Sequence, residues 1–290
     1  MKGIPEYRLA RKSHRPEGSV ICIGDTEIGG KELLMIAGPC AVETEEQLFA
    51  IAQKVSDLGI KFLRGGAYKP RTSPYKFQGL QEPGLKLLSN VSKEFNLNIV
   101  TEVMDISLLD VVYPHTDIIQ IGARNMKNYH LLRALGETDK PILLKRGMDA
   151  TIEEWLLAAE YILLGGNEQV ILCERGIRTF DNSNRNTLDL AGVALVKQLT
   201  HLPVIVDPSQ ATGNRNLIEA TSLASIAVGG DGLMIEVHNN PEDALSDGPQ
   251  SMYLKQFERM LPSLQNMATA SNRIIDLKTA IQPVQVQEIH

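Results

Sequence analysis

LLMIAGPCAVETEEQLFAIAQKVSDLGIKFLR, residues 33–64, joins two short apolar runs through a helical pattern. The runs at 33–37 and 61–64 do not alternate between apolar and polar residues, which is typical of strands buried on both faces. Residues 44–57 predict a helix, and Thr44-Glu45-Glu46-Gln47 matches a capping box at its start. Because parallel neighbours need a crossover that is usually helical, the stretch predicts one parallel strand–helix–strand unit.

The same unit recurs along the chain. Further apolar runs rich in β-branched residues predict strands at residues 98–102, 117–121, 141–145, 169–174, 203–207 and 232–237. One helical pattern follows the run at 61–64 and one follows each of these six runs, which predicts helices at residues 82–95, 106–113, 128–135, 151–164, 187–199, 217–228 and 250–261. Eight consecutive units of this kind predict an α/β protein, a closed (β/α)8 TIM barrel.

Both ends of the chain depart from the barrel pattern. Residues 18–30 predict a β-hairpin around Gly24-Asp25, which we expect to cap the bottom of the barrel. The expected organisation is an N-terminal extension and hairpin at 1–32, a catalytic barrel at 33–265 and a tail at 266–290. Within that tail, 271–279 predict one helix. We expect no further domain beside these regions.

The composition of the 290-residue chain excludes several classes of function. A net charge of −6 argues against a general nucleic-acid surface, although a local cationic pocket remains compatible with it. We find no signal-peptide core and no apolar run long enough to span a membrane. The three cysteines are an odd number, and Cys22 and Cys173 lie in apolar runs where small buried residues are expected. The sequence therefore predicts a cytoplasmic protein without a disulfide framework.

Cationic side chains stand at or after the ends of several predicted strands. In chain order they are Arg64, Lys69, Arg71, Arg124, Lys145, Arg146, Arg175 and Arg178. Burying several unpaired cations together is costly, and guanidinium groups bind phosphate bidentately, so the cluster predicts bound phosphates or carboxylates. Glu102, at the end of the third predicted strand, either neutralises these cations or orients a water and relays a proton.

A second set of polar residues predicts a metal centre. Cys40 alone could be a small buried residue, but with Glu236 and Asp247 it offers one thiolate and two carboxylates to a divalent ion. Gln210 stands where such a set would be expected to use an imidazole, and a neutral amide oxygen is a weaker ligand. His238 either adds a nitrogen or lies at the polar rim.

Six motifs in the chain resemble one known family. They are Gly38-Pro39-Cys40, Lys69-Pro70-Arg71-Thr72-Ser73, Gly122-Ala123-Arg124-Asn125, Leu144-Lys145-Arg146-Gly147, Cys173-Glu174-Arg175-Gly176 and Ser246-Asp247-Gly248. Together they resemble the β subgroup of the type I 3-deoxy-D-arabino-heptulosonate 7-phosphate (DAHP) synthases over about residues 15–265. They also relate the chain to the 3-deoxy-D-manno-octulosonate 8-phosphate synthases.

The resemblance implies a metal-dependent condensation of phosphoenolpyruvate with erythrose 4-phosphate, the first step of the shikimate pathway. It implies catalytic roles for Lys69, Glu102 and Cys40. The implied phosphoenolpyruvate ligands are Arg64, Lys69, Arg124, Lys145 and Arg175, and the implied aldose phosphate ligands are Arg71 and Thr72. The implied metal positions are Cys40, Gln210, Glu236 and Asp247. Because the family places histidine where Gln210 stands, we expect weakened binding of Mn, Co, Fe or Zn.

Two alternatives to this function stay open at the level of sequence. The chain could join phosphoenolpyruvate to another phosphorylated aldose, or it could be a metal-deficient, non-catalytic phosphoenolpyruvate-binding homologue. Replacing Gln210 is expected to leave phosphoenolpyruvate affinity nearly unchanged, because Gln210 is not among the cations. The loop at 69–77 carries Tyr75 and Phe77, and these apolar groups lead us to expect a homo-oligomer, a dimer or a tetramer.

Overall fold

The computed structural model describes residues 6–278. Within that range the chain forms a closed barrel of eight parallel strands, as the sequence predicts. After a hairpin of β1 (Ile21–Ile23) and β2 (Thr26–Ile28), the barrel strands are β3 (Leu34–Gly38), β4 (Phe62–Arg64), β5 (Asn98–Glu102), β6 (Ile118–Ile121), β7 (Ile142–Lys145), β8 (Val170–Glu174), β9 (Val204–Val206) and β10 (Gly232–His238). Each barrel strand pairs in parallel with the next one along the chain, and β10 pairs with both β9 and β3, which closes the barrel.

Helices follow the strands and cover the outside of the barrel. They are α1 (Glu45–Asp57), α2 (Glu82–Phe95), α3 (Leu109–Val112), α4 (Tyr129–Gly136), α5 (Ile152–Leu164), α6 (Leu190–Leu199), α7 (Pro208–Thr212), α8 (Ile218–Ala227) and α9 (Leu254–Ala270). A short strand β11 (Met252–Tyr253) precedes α9 and pairs with β10. Among the described residues, none of the helices combines the length and the apolar character that a membrane span requires.

The hairpin closes the bottom of the barrel, as predicted. Ile21 and Ile28 belong to one buried apolar cluster with Leu34 and Phe62, which lie at the first positions of their strands. The other face of β1 turns outward, so Cys22 is exposed and the expectation that it is buried is wrong. Period-two alternation explains this difference, because neighbouring residues of a strand point to opposite faces.

Glu160 fixes the N-terminal segment against the bottom of the barrel. Its carboxylate accepts hydrogen bonds from the backbone N–H groups of Arg8, Leu9 and Ala10 at 2.8, 2.8 and 2.9 Å. These hydrogen bonds satisfy the buried carboxylate, which lies in the C-terminal part of α5. Glu160 therefore binds the N-terminal segment and is separate from the cationic side chains at the C-terminal ends of the strands.

The last helix ends later than the sequence predicts. We expected a helix at residues 250–261, but α9 continues through Pro262 to Ala270. Buried Leu264 and Ala268 keep the helix packed, which offsets the hydrogen bond that proline removes. The predicted helix at 271–279 is wrong for its described part, because Asn272 is left-handed at φ +56° and Ile274 bridges to Glu32.

The structure differs from two other local predictions. The expected helix at 106–113 is a 3-10 turn at Ile106–Leu108 followed by the single turn of α3. The predicted capping box at α1 is half formed. Thr44 Oγ1 accepts from the Gln47 backbone N–H at 3.1 Å, but Gln47 Oε1 accepts from the N–H of Glu43 at 3.0 Å and not from that of Thr44.

Candidate active site

A polar cavity of about 280 Å³ opens at the C-terminal ends of the barrel strands. Cationic side chains dominate its wall: Arg64, Lys69, Arg71, Lys76, Arg124, Lys145, Arg175 and Arg185. The carboxylates that line it are Glu102 and Asp247. Six of the eight predicted cations therefore converge on one cavity, as expected for loops above a parallel barrel. Such an excess of positive charge in a concave site attracts small anions.

Two guanidinium groups in this wall have buried nitrogens without a hydrogen-bond partner among the described residues. They are Nε and Nη1 of Arg64 and Nη2 of Arg71, whose Nε donates to the Phe77 carbonyl at 3.0 Å. A buried donor without an acceptor costs free energy, and this cost is offset when a ligand accepts the bond. Both residues are therefore prepared to bind an anion from the cavity.

Asp207 anchors two of the buried cations. Its Oδ2 lies 2.5 Å from Lys145 Nζ and 3.7 Å from Arg64 Nη1. Burial would raise the pKa of Asp207, but Lys145 and Arg64 together lower it. The Oδ1 atom caps α7 by accepting from the Gln210 N–H at 2.9 Å. We did not single out Asp207 from the sequence, although an acid directly after a buried strand was a usable signal.

Lys69 and Cys40 are in contact. Lys69 Nζ lies 2.9 Å from the Cys40 carbonyl oxygen and 3.1 Å from Cys40 Sγ. Burial and the Glu236 carboxylate raise the pKa of the Cys40 thiol to about 11. Burial opposes the charge on Lys69, but Cys40 and Glu102 raise the pKa of its ammonium group above the usual value. Lys69 is therefore a charged donor at the floor of the cavity.

Cys40, Glu236 and Asp247 come together as the sequence predicts, with one ligand atom of each within 4.8 Å of the others. The Cys40 thiol donates to Asp247 Oδ2 at 3.1 Å, and Arg185 Nη1 lies 3.3 Å from Asp247 Oδ1. Burial would raise the pKa of Asp247, but Arg185, the thiol hydrogen bond and Lys69 lower it to about 2. Asp247 is therefore ionised at neutral pH.

Gln210 is the fourth predicted metal position, and it presents hydrogens to this group. Its Nε2 donates to Glu236 Oε1 at 2.6 Å and to Asp247 Oδ2 at 3.2 Å. Its Oε1 faces away and accepts from Arg175 Nη2 at 3.1 Å. A metal ligand needs a lone pair directed at the ion, so three of the four positions fit a divalent ion and the position of Gln210 does not.

Glu102 lines the same cavity and acts electrostatically on Lys69. Gln120 Nε2 donates to its Oε2 at 3.1 Å, and the carboxylate is buried at the end of β5. A Cβ atom at Gly122 would lie 2.2 Å from Glu102 Oε1, so any other residue there would displace the carboxylate from this position. The Gln120 amide thus orients the Glu102 carboxylate, and the lack of a side chain at Gly122 leaves space for it.

Three residues discussed in the sequence lie outside this arrangement. Arg146 forms ion pairs with Glu174 at 2.9 Å and with Asp189 at 2.8 Å, so the expectation that it joins the cluster is wrong. Arg178 is exposed and pairs with Asp149 at 3.2 Å. His238 lies 3.5 Å from the Glu43 carboxylate and does not join Cys40, Glu236 and Asp247. The alternation of side chains beyond each strand end explains why neighbouring residues diverge.

Sequence reasoning missed two of the cavity cations, Lys76 and Arg185. Both lie in loops that follow strands by many residues, Lys76 after β4 and Arg185 after β8. The spacing of residues in the sequence does not show how close a side chain on such a loop comes to the cavity, so no strong signal pointed to these two cations. Arg185 also donates to Gln250 Oε1, which ties its loop to the segment before β11.

Known proteins share this barrel. A family model described as the DAHP synthetase I family matches residues 13–273. The chain belongs to the DAHP synthetase I family. Enzymes of this family are in general metal-dependent. A curated member, the phospho-2-dehydro-3-deoxyheptonate aldolase of Thermotoga maritima, is 49% identical over 267 residues, which cover 92% of this chain and 79% of the relative.

Solved structures and a second enzyme class extend this family relationship. The crystal structure of the Thermotoga maritima DAHP synthase has a TM-score of 0.92 at 47% identity, covering 94% of this chain and 80% of that one. A truncated form of the Thermotoga enzyme has a TM-score of 0.86 at 44% identity and covers 92% and 98% of the two chains. The 2-dehydro-3-deoxyphosphooctonate aldolase of Syntrophotalea carbinolica is 30% identical over 262 residues, or 83% of this chain and 93% of the relative.

Proposed function

We propose that this chain condenses phosphoenolpyruvate with erythrose 4-phosphate to give DAHP and inorganic phosphate, the first step of the shikimate pathway. The observation that supports it best is the cavity of eight cations with unpartnered guanidinium donors in a chain of this family. Two phosphorylated substrates bring the negative charge that such a wall lacks. The free cysteines at positions 22, 40 and 173 agree with the reducing cytoplasm that we propose as its location.

The two substrates are proposed to occupy different parts of the cavity. Phosphoenolpyruvate is assigned to the deeper cations, Arg64, Lys69, Arg124, Lys145 and Arg175. The phosphate of the aldose is assigned to Arg71 and Thr72 at the mouth, where the side chain of Thr72 is exposed. This order puts the reacting carbon of phosphoenolpyruvate beside Lys69 and Glu102.

The proposed reaction forms one carbon–carbon bond and breaks one carbon–oxygen bond. C3 of phosphoenolpyruvate attacks the aldehyde carbon, while a water adds its hydroxyl to C2 and its proton balances the new alkoxide. The C2–oxygen bond to phosphate then breaks, and the hydroxyl proton leaves with the phosphate. Glu102 is proposed to accept the proton of the attacking water, and the Lys69 ammonium group to donate toward the aldehyde oxygen. Cys40 contacts Lys69 and is proposed to hold it in place.

A divalent ion, Mn, Co, Fe or Zn, would have Cys40, Glu236 and Asp247 as its ligands and would supply Lewis-acid chemistry when bound. We propose that its affinity is weakened, because the Gln210 N–H groups point at the same carboxylates. We therefore propose Cys40, Glu236 and Asp247 as the metal ligands and do not include Gln210.

Phosphate release tests the proposed function. The purified chain should release phosphate from phosphoenolpyruvate when erythrose 4-phosphate is present, and the product should be identified by mass. The relationship to the phosphooctonate aldolase at 30% identity makes a five-carbon aldose phosphate the second candidate substrate. Turnover with that substrate and none with erythrose 4-phosphate would favour the second candidate.

Arg175→Ala should weaken phosphoenolpyruvate binding by about 1.5–3 kcal/mol, the range for a hydrogen bond to a charged group. Calorimetry on the chelated protein measures this change. Arg178→Ala is the matched control, because Arg178 is exposed and pairs with Asp149 outside the cavity. Equal affinities in the Arg175→Ala and unmodified proteins would remove Arg175 from the binding site.

We also expect a homo-oligomer, a dimer or a tetramer. Tyr75 is 96% exposed and Phe180 is fully exposed, both on loops beside the mouth of the cavity, and such apolar groups are commonly covered by a second subunit. Phe77 is half-buried, so the sequence expectation rests on Tyr75. Sedimentation equilibrium at micromolar protein measures the mass, and a single species of 32.0 kDa would contradict the expectation.

A further inference from the structure

The side-chain amide of Gln210 bridges two buried or half-buried carboxylates. One N–H reaches Glu236 Oε1 at 2.6 Å and the other reaches Asp247 Oδ2 at 3.2 Å. Two carboxylates this close repel each other unless a cation or a pair of donors stands between them. The amide supplies the pair of donors, in the place where a bridging ion would otherwise stand.

The orientation of this amide is fixed from its other side. Arg175 Nη2 donates to Gln210 Oε1 at 3.1 Å and to the Gln210 carbonyl oxygen at 3.3 Å. The backbone N–H of Gln210 is held by Asp207 Oδ1 at 2.9 Å. Because Arg175 has no lone pair to offer, it selects the amide oxygen and directs the NH2 group toward the acids. Exchanging the two amide atoms would place donors against donors.

The charge of the two carboxylates is already balanced by the protein. Arg64 Nη2 lies 3.1 Å from Glu236 Oε1, and Arg185 Nη1 lies 3.3 Å from Asp247 Oδ1. Each acid thus has its own guanidinium group, and Gln210 adds no charge. A divalent ion would bring two positive charges to a pair of acids that is already neutralised, which reduces the gain from binding.

Every oxygen of the two carboxylates also has a protein donor. The hydrogen-bond donors are Gln210 for Glu236 Oε1, Gln250 for Glu236 Oε2, Arg185 for Asp247 Oδ1, and Gln210 and Cys40 for Asp247 Oδ2. An ion that used these oxygens would have to displace several of these bonds, and the Gln210 bridge first. Fully satisfied networks of this kind are stable as they stand.

From this network we propose that the Gln210 amide replaces the divalent ion, so that the active site of this chain is organised, and works, without a metal. The catalytic part of the statement rests on the proposed synthase function, and the structural part does not. Lys69 and the guanidinium groups then supply the positive charge of the site. A histidine at position 210 has a ring nitrogen whose lone pair can bind an ion between the acids, which the Gln210 NH2 group does not have.

The test compares the unmodified chain with Gln210→His, each after EDTA treatment and after addition of Mn²⁺ or Co²⁺. We expect the unmodified chain to bind no stoichiometric metal, to change its melting temperature by less than about 1 °C, and to show the same turnover in both states. Gln210→His should bind one equivalent and gain at least about 5 °C at metal concentrations a hundredfold above Kd. Gln53→His, which places a histidine on the exposed surface of α1, is the control and should show no gain.

The outcomes separate the proposal from the function on which it partly rests. One equivalent of metal in the unmodified chain, a rise in its melting temperature with metal, or turnover that requires metal would overturn the proposal. A folded Gln210→His protein without a metal response would also overturn it, because Gln210 would then not be the cause. No turnover in any state, with the melting and metal results as expected, would reject the synthase function and retain the structural part. Should Gln210→His fail to fold, metal titration of the unmodified chain decides alone.

Discussion

Asp207→Asn is expected to lower the free energy of unfolding by about 3–5 kcal/mol, the range for removing one partner of a buried ion pair. Asp207 is fully buried against Lys145 at 2.5 Å, with Arg64 at 3.7 Å, so its neutralisation leaves Lys145 without its paired carboxylate and leaves Arg64 with Glu236 alone. Asparagine retains the shape and still caps α7 through its side-chain oxygen. The loss therefore measures charge and not the cap. Urea unfolding monitored by circular dichroism gives the value.

Asp189→Asn is the matched control. Asp189 also caps a helix, α6, and also pairs with an arginine, Arg146, but it is partly exposed and Arg146 keeps Glu174 as its partner. We expect this variant to lose about 1 kcal/mol or less. Phosphoenolpyruvate should stabilise Asp207→Asn more than the unmodified chain, because a bound anion replaces the missing charge. Equal losses in the two variants, or no extra stabilisation by the ligand, would contradict the role given to Asp207.

The barrel could be predicted from the sequence because its signal is repeated. Each predicted strand has a short apolar core, such as Ile99 and Val100 within residues 98–102, and each is followed by a helical period, so an error in one unit leaves the others intact. The end of α9 could not be predicted in the same way. Pro262 is a local signal to stop a helix, whereas the packing of Leu264 and Ala268 that overrides it is tertiary.

In the candidate site, too, some residues could be predicted from local sequence signals and others depend on tertiary contacts. Residues directly at strand ends, such as Arg64 and Lys145, converge as predicted, because the barrel itself fixes where a strand ends. Arg185 and Lys76 were missed, because the path of a long loop, and so the position of its side chains, cannot be inferred from the sequence. The contact of Gln210 Oε1 with Arg175 was not foreseen, and the expectation that replacing Gln210 leaves phosphoenolpyruvate affinity nearly unchanged stays a prediction. The direction of the Gln210 hydrogen bonds depends on Arg175, Glu236 and Asp247, which lie far apart in the sequence, and no single motif records it.

Glu102→Gln is expected to lower kcat by about 10²- to 10⁴-fold, the range for removing a positioned general base. Glutamine has nearly the same shape, and its side-chain oxygen can still accept the hydrogen bond that Gln120 donates at 3.1 Å. It cannot accept a proton from water at neutral pH. Steady-state kinetics of phosphate release, with phosphoenolpyruvate and erythrose 4-phosphate as substrates, measure the change.

The size of the change in kcat separates this role from the alternative in which Glu102 only neutralises the surrounding cations, whereas phosphoenolpyruvate affinity changes in the same direction in both cases. If Glu102 is the base, phosphoenolpyruvate should bind to Glu102→Gln at least as tightly as before, because a negative charge has left a site that binds an anion. Glu160→Gln is the control for stability, since Glu160 is a buried carboxylate at the other end of the barrel. That variant should lose stability and keep its kcat. A kcat for Glu102→Gln within a factor of about three of the unmodified value, with tighter phosphoenolpyruvate binding, would favour neutralisation, because a missing base costs far more.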